Sequence, residues 1–227
     1  MPTRDELREC LEALSQNAAT RYELWIRFIN HFRIRSALEV GVWKGVFAGR
    51  LLRRCNSIER YYMLDPWRRL EDWNKPFNVG DSEFEDIFRE AIEATEFSGE
   101  KRVVLRGTTS EMIGQIPDAS LDFAYIDGDH TLRGVTIDLI CVFPKIRPGG
   151  FLAGDDLEPG IWKHGPDFEP TLVFPFAAHF AEAAGMPFFA LPFQQFVIAK
   201  SADGYAFIDF TGQYQSLALR EQLRPPK

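Results

Sequence analysis

The chain is poor in the residues that would staple or anchor it. Three cysteines, Cys10, Cys55 and Cys141, are odd in number, far apart and without Cys-x-x-Cys spacing. That pattern argues for reduced, mostly buried thiols in a cytoplasmic protein. Positive charge is not in excess: 26 Lys and Arg against 33 Asp and Glu give a formal net charge of −7. Nonspecific nucleic-acid binding needs a basic field, so no nucleic-acid partner is expected. Long hydrophobic runs are missing too. The most apolar region, Thr171 to Ala199, is interrupted by Pro175, Pro187 and Pro192 and carries His179 and Glu182. It reads as broken core elements and not as a membrane span, so no membrane partner is expected either. The opening Met-Pro-Thr-Arg-Asp-Glu-Leu-Arg has no apolar core, so no signal peptide is expected there. Repeats, low-complexity segments and linkers are likewise missing.

What is there suits one sizeable domain with a well-buried core: 227 residues, 45% hydrophobic and 26% charged. Residues 1–33 carry two helical patterns, with Leu7, Leu11 and Leu14 on one face and Tyr22, Trp25, Phe28, Ile29 and Phe32 on another. From residue 36 strands and helices alternate. Strands are predicted at 36–41, 60–65, 102–106, 121–127 and 150–154, with helices near 45–55, 82–97, 108–116 and 131–144 between them. Alternation of this length implies a doubly wound, mostly parallel sheet. Beyond Pro170 come a helix near 171–184 and two apolar strands, 187–191 and 194–200, whose short gap suits a hairpin, and then a last strand over 205–210. The expected layout is a single domain over 1–227: N-terminal helices, a core over 36–200, and a C-terminal strand and tail over 201–227.

In such a sheet a ligand sits at the carboxyl ends of the strands. The first exit reads Leu38-Glu39-Val40-Gly41-Val42-Trp43-Lys44-Gly45, a strand, a glycine turn and then helical spacing. Glycines let backbone approach a ligand where a Cβ would clash. A dinucleotide fingerprint would place glycine where Glu39 stands, and a carboxylate there would repel a pyrophosphate. Glu39 therefore points to a cofactor with a cationic end, such as S-adenosylmethionine, which carries an ammonium and a sulfonium. Asp65 closes the second strand, where an acid can accept both ribose hydroxyls or serve as a turn residue before Pro66. Gly107-Thr108-Thr109-Ser110 follows the third strand; it suits a close turn and a helix cap, with polar contact to an adenine edge as the added function.

The fourth and fifth exits hold Asp127, Asp129 and His130, then Asp155 and Asp156. If those strands are neighbours, up to four carboxylates converge, and they must share protons or bind a cation such as Mg²⁺ or Mn²⁺. The alternative is a set of acids with separate duties: Asp127 on the cofactor, Asp129 as a helix cap, Asp156 in solvent. His130, beside these acids, would be poised to accept a proton near neutral pH. His164 and the aromatic-rich stretch Trp67 to Phe77 could line an acceptor pocket, or be packed surface loops.

Together, Leu-Glu-Val-Gly-Val-Trp-Lys-Gly, Leu-Asp-Pro-Trp, Tyr-Ile-Asp-Gly-Asp-His-Thr and Pro-Gly-Gly-Phe-Leu-Ala-Gly-Asp-Asp, spread over residues 36–156, resemble the class I S-adenosylmethionine-dependent methyltransferases. The likeness is to the small-molecule O-methyltransferases, the macrocin-type sugar enzymes and more distantly the catechol enzymes. The resemblance implies a Rossmann-like seven-stranded sheet ending in a reversed hairpin. It implies that Glu39, Gly41 and Gly45 meet the amino-acid end of the cofactor, that Asp65 holds the ribose, and that Gly107, Thr109 and Ser110 face the adenine, with Asp127 adjoining. It further implies metal ligands at Asp127, Asp155 and Asp156, and a base at Asp129, with His130 near the position where the catechol enzymes carry a lysine.

The expectation is a Mg²⁺- or Mn²⁺-dependent O-methyltransferase acting on a hydroxyl of a small molecule, with Asp129 or His130 taking the proton. A homo-oligomer is compatible with the chain. The rival readings are a metal-free methyltransferase using His130, a nicotinamide oxidoreductase, and a non-catalytic cofactor-binding protein.

Overall fold

The central strands are apolar and buried along nearly their whole length, successive side chains pointing to opposite faces, and each face of the sheet gathers its own layer of helices. In the computed structural model, which describes residues 3–214, the strands are β1 Ser36–Val40, β2 Arg60–Asp65, β3 Arg102–Arg106, β4 Leu121–Ile126, β5 Ile146–Gly154, β6 Pro187–Leu191, β7 Gln195–Ala199 and β8 Ala206–Asp209. They form one sheet in the order β3-β2-β1-β4-β5-β7-β6-β8. Only β7 runs against the others, pairing antiparallel with both β5 and β6. The reversed hairpin expected over 187–200 is therefore present. The sheet has eight strands, not seven, because β8 pairs in parallel with β6 at the edge. The expected C-terminal tail lies outside the described residues from 215 onward.

The helices are α1 Arg4–Gln16, α2 Arg21–His31, α3 Val46–Arg54, α4 Asp81–Thr95, α5 Thr109–Met112, α6 Leu132–Val142 and α7 Val173–Ala184. Ala37, Tyr61, Met63, Phe123 and Tyr125 face one way and pack with Leu11, Trp25, Phe28, Leu51 and Ile87 of α1 to α4. Their neighbours Leu38, Leu64, Ala124 and Ile126 face the other way and pack with Val135 and Leu139 of α6 and Ala177 and Ala181 of α7. Thr20 opens α2, its side chain accepting the Glu23 amide. The helix expected over 108–116 shrinks to the single turn of α5 plus a 3₁₀ turn at Ile113–Gln115, because Gly114 and Pro117 follow closely.

The strand order reverses at β1, which has β2 on one side and β4 on the other. A crevice opens at such a switch point, beyond the strand ends.

Candidate active site

A cavity of about 760 Å³ occupies that crevice, lined by the exits of β1, β2, β4 and β5, the loop from Leu70 to Phe77, Arg21 of α2, and Lys163 with His164. Two glycines shape it. Gly41 has φ +85°, and a Cβ there would lie 2.0 Å from the Asp127 carbonyl oxygen. Gly45 has φ +70°, and a Cβ would meet the Ala91 backbone of α4 at 2.9 Å. These glycines let the β1 exit close against the β4 exit and against α4. Gly45 and Gly107 are not among the lining residues, whereas Gly41, Thr109 and Ser110 are.

At the β1–β2 end the acids face neutral donors. Glu39 is 2% exposed, and its Oε2 accepts the Tyr61 hydroxyl at 2.7 Å. Burial pushes its carboxyl well above the usual range, against the effect of the Tyr61 hydrogen bond. A buried carboxyl at the edge of a cavity, with no cation in hydrogen-bond contact, suits an ammonium, so these residues fit the amino end of S-adenosylmethionine. Asp65 is tied to its own backbone: Oδ2 accepts the amides of Val42 and Trp43, each at 2.9 Å, and Oδ1 accepts the Trp67 amide at 2.8 Å. Burial lifts it to about 6 in spite of those amides. It lines the cavity, and it also clamps the turn that follows β1. Deeper on the α6 side, the Thr109 hydroxyl donates to Asp138 Oδ1 at 2.5 Å, and burial raises Asp138 to about 7.

At the β4–β5 end the strands are neighbours, as expected, and Asp127, Asp155 and Asp156 converge. Each already has a cation. Arg21 lies 3.3 Å from Asp127 Oδ2 and contacts Asp155 Oδ2. Lys163 contacts Asp156 Oδ1, while His130 Nδ1 donates to Asp156 Oδ2 at 2.5 Å. Asp155 Oδ1 accepts Gln195 Nε2 at 2.5 Å and the Asp156 amide at 2.8 Å. Gln195 is itself held through its Oε1 by Trp25 Nε1 at 2.6 Å and by the Tyr125 hydroxyl at 2.7 Å. Among the described residues, no three His, Cys, Asp or Glu side chains are arranged to hold a metal ion. The expected ligand set does not fit Mg²⁺ or Mn²⁺ as it stands, since the carboxylate oxygens a hard ion would need are taken by nitrogen donors of the chain itself.

Charge placement sets the remaining pKa values. Burial alone would raise Asp156, but the His130 hydrogen bond and charge and the Lys163 charge hold it well below the usual range. Burial alone would lower His130, but the hydrogen bond and charge of Asp156, with the charge of Asp127, outweigh it and raise it. Asp127 is lifted to about 6 by burial, against the pull of His130 and Arg21. His130 Nε2 has no hydrogen-bond partner and stands 3.6 Å from Asp127 Oδ1. Asp129 is engaged otherwise: its Oδ1 caps the Thr131 amide at 2.9 Å and accepts Trp73 Nε1 at 3.0 Å. His164 lines the same cavity, with burial and nearby lysines lowering its pKa.

Arg21, Tyr61, Lys163 and Gln195 were missed by sequence reasoning. Arg21 did carry a signal. It is the first residue of α2, where the helix dipole disfavours a cation, so it calls for an acidic partner from elsewhere in the chain.

The sequence profile of a methyltransferase domain matches residues 38–157, just over half the chain. No curated protein sequence matches. Among solved structures, an O-methyltransferase from Bacillus cereus in complex with S-adenosylhomocysteine superposes with a TM-score of 0.57 at 19% identity, covering 88% of this chain and 91% of the other. TomG from Streptomyces achromogenes, an O-methyltransferase of tomaymycin synthesis in complex with S-adenosylmethionine, gives 0.56 at 14% identity, covering 84% and 88%. At such identities the superpositions carry the fold. With the profile match, the strand order and the acid-bearing glycine turn after β1, the chain belongs to the methyltransferase-domain family, the class I S-adenosylmethionine-dependent methyltransferases that its motifs resemble.

Proposed function

We propose that the protein transfers a methyl group from S-adenosylmethionine to a hydroxyl of a small molecule, a phenol, catechol or sugar, with His130 as the base. The observation that carries this reading is the His130 imidazole at the cavity wall, with Nδ1 fixed on Asp156 and Nε2 unpartnered. A carboxylate that fixes one ring nitrogen selects the tautomer whose other nitrogen can take a proton. S-adenosylmethionine, when bound, would supply a sulfonium methyl to the acceptor oxygen, its sulfur keeping the electron pair of the carbon–sulfur bond. The hydroxyl proton goes to His130 Nε2, and the imidazolium so formed sits between Asp156 and Asp127.

Asp129 supports this from behind. It shapes the turn ahead of α6 and pins Trp73, so the base role expected for it passes to His130. Glu39 would hold the cofactor's ammonium, and Thr109 and Ser110, which line the same cavity, would meet its adenosine side. The relatives' names, both O-methyltransferases, support oxygen as the acceptor atom. The three thiols are all unpaired, which supports the cytoplasmic setting expected from composition. Among the described residues no helix is long and apolar enough to cross a membrane.

The test is a panel of catechols, phenols, sugar alcohols and matched amines incubated with methyl-labelled cofactor. Label should appear on a hydroxyl, and His130→Gln should reduce it by roughly 10²-fold or more. Label moving only to amines, or transfer unaffected by His130→Gln, would contradict the reading.

A further inference from the structure

The centre at the ends of β4 and β5 has the acids of a metal site and the cations of a closed one. Arg21 makes the difference. It reaches from the first residue of α2 across to β4 and β5, a place a cation occupies against the helix dipole. That cost is offset by the two carboxylates it meets, Asp127 and Asp155. Trp25, one turn further along α2, fastens the same centre from behind through Gln195, whose amide nitrogen donates to Asp155. The helix thus delivers a cation and its support on one face. The Arg21 side chain is still 31% exposed, and it lines the cavity.

We propose that Arg21 is the resident cation of this centre: its guanidinium holds Asp127 and Asp155 together as a divalent ion would, and the enzyme works without one. The inference rests on the methyl-transfer reading above, but its test does not. A guanidinium is planar, always charged and presents several N–H donors, so one group can bridge two carboxylates and keep an edge toward the cavity. Removing it leaves two converging carboxylates without the cation that bridges them, and such a pair favours taking up protons or another cation. Arg21 is a positioning residue here, acting through the acids it holds.

Mn²⁺ is the probe, because its free ion has a paramagnetic resonance signal that is lost on binding. The wild-type protein and Arg21→Lys should leave the signal unchanged up to about 1 mM, and Arg21→Ala should bind one Mn²⁺ at least about 10-fold more tightly than wild type. Circular dichroism and S-adenosylhomocysteine calorimetry check that each variant is folded. Mn²⁺ binding by the wild type that Asp155→Asn abolishes would overturn the proposal. A folded Arg21→Ala that gains no Mn²⁺ would overturn it as well. If Arg21→Ala does not fold, the wild-type titration alone decides, since Mn²⁺ in the native centre and a resident guanidinium exclude each other. Failure to methylate any acceptor would sink the methyl-transfer reading and leave the Mn²⁺ result standing.

Discussion

The two ends of the cavity start from the same material, an acid at the carboxyl end of a parallel strand, and come to opposite states. Glu39, at the end of β1, is buried against a neutral hydroxyl, and burial raises its pKa well above the ordinary range. Asp156, after β5, is buried too, yet His130 and Lys163 hold its pKa well below that range. The first end is an acid with no cation in contact; the second is compensated from within. Topology places an acid at a strand exit, but the neighbours contributed by distant segments decide whether that acid waits for a ligand or organises the protein's own groups. Here the deciding neighbours are Tyr61 at one end and Arg21, His130 and Lys163 at the other.

The largest expected effect breaks the second end. His130→Gln should lower turnover by roughly 10²-fold or more, and S-adenosylhomocysteine affinity should stay within about twofold. Asp129→Asn, which keeps the turn's shape, should cost less; steady-state kinetics at saturating cofactor decides between the two. Next, the first end. Glu39→Gln should weaken calorimetric S-adenosylhomocysteine binding by about 1–3 kcal/mol, the scale of a charged hydrogen bond, without moving the melting temperature downward. Asp65→Ala should weaken binding similarly and also destabilise the apo protein, because three amides of the turns after β1 and β2 lose their acceptor.

A pH profile sharpens the contrast. His130 must be neutral to take a proton, and its pKa is raised from 6.5, so the acidic limb of the rate profile should lie above that value. Asp156→Asn removes the carboxylate that raises it. The limb should then move to lower pH while the plateau falls by about 10-fold, as the imidazole loses its orientation. A limb that does not move would leave His130 without the proposed role.

The smallest effect is on stability. Asp138 is raised to about 7 by burial, so the folded state favours its protonated form. Its contribution is present below the unfolded value of 3.8 and is lost as pH rises through about 7. Asp138→Asn keeps the acceptor for Thr109 and should flatten the decline in melting temperature across that window. An unchanged slope would mean that Asp138 ionises freely.

Much of this was legible in the sequence, for local reasons. The β1 exit with Glu39 and Gly41, the Asp-Gly-Asp-His run and the Asp155–Asp156 pair each sit within a few residues of a strand end, where periodicity and turn chemistry locate them. The hairpin of β6 and β7 was readable from two apolar runs with a short gap. The missing parts are those that depend on tertiary pairing. Nothing local tells that Arg21 meets Asp155, or that Gln195 of β7 lies beneath the site between Trp25 and Tyr125. The metal expectation failed the fit for that reason: counting acids at strand ends says nothing of the cations that α2 and the loop carrying Lys163 bring to them. The edge strand β8, Ala206–Asp209, was legible too, as the last strand over 205–210; the count of seven came from the resemblance, which did not include it.

Calorimetric titration of the wild-type protein with S-adenosylhomocysteine, once in excess EDTA and once in excess Mn²⁺, tests the contrast between the two ends most directly. An open first end and a closed second end predict one binding event with the same affinity in both buffers, and tighter than that of NAD. Binding that appears only with Mn²⁺, or NAD binding the more tightly, would contradict the account.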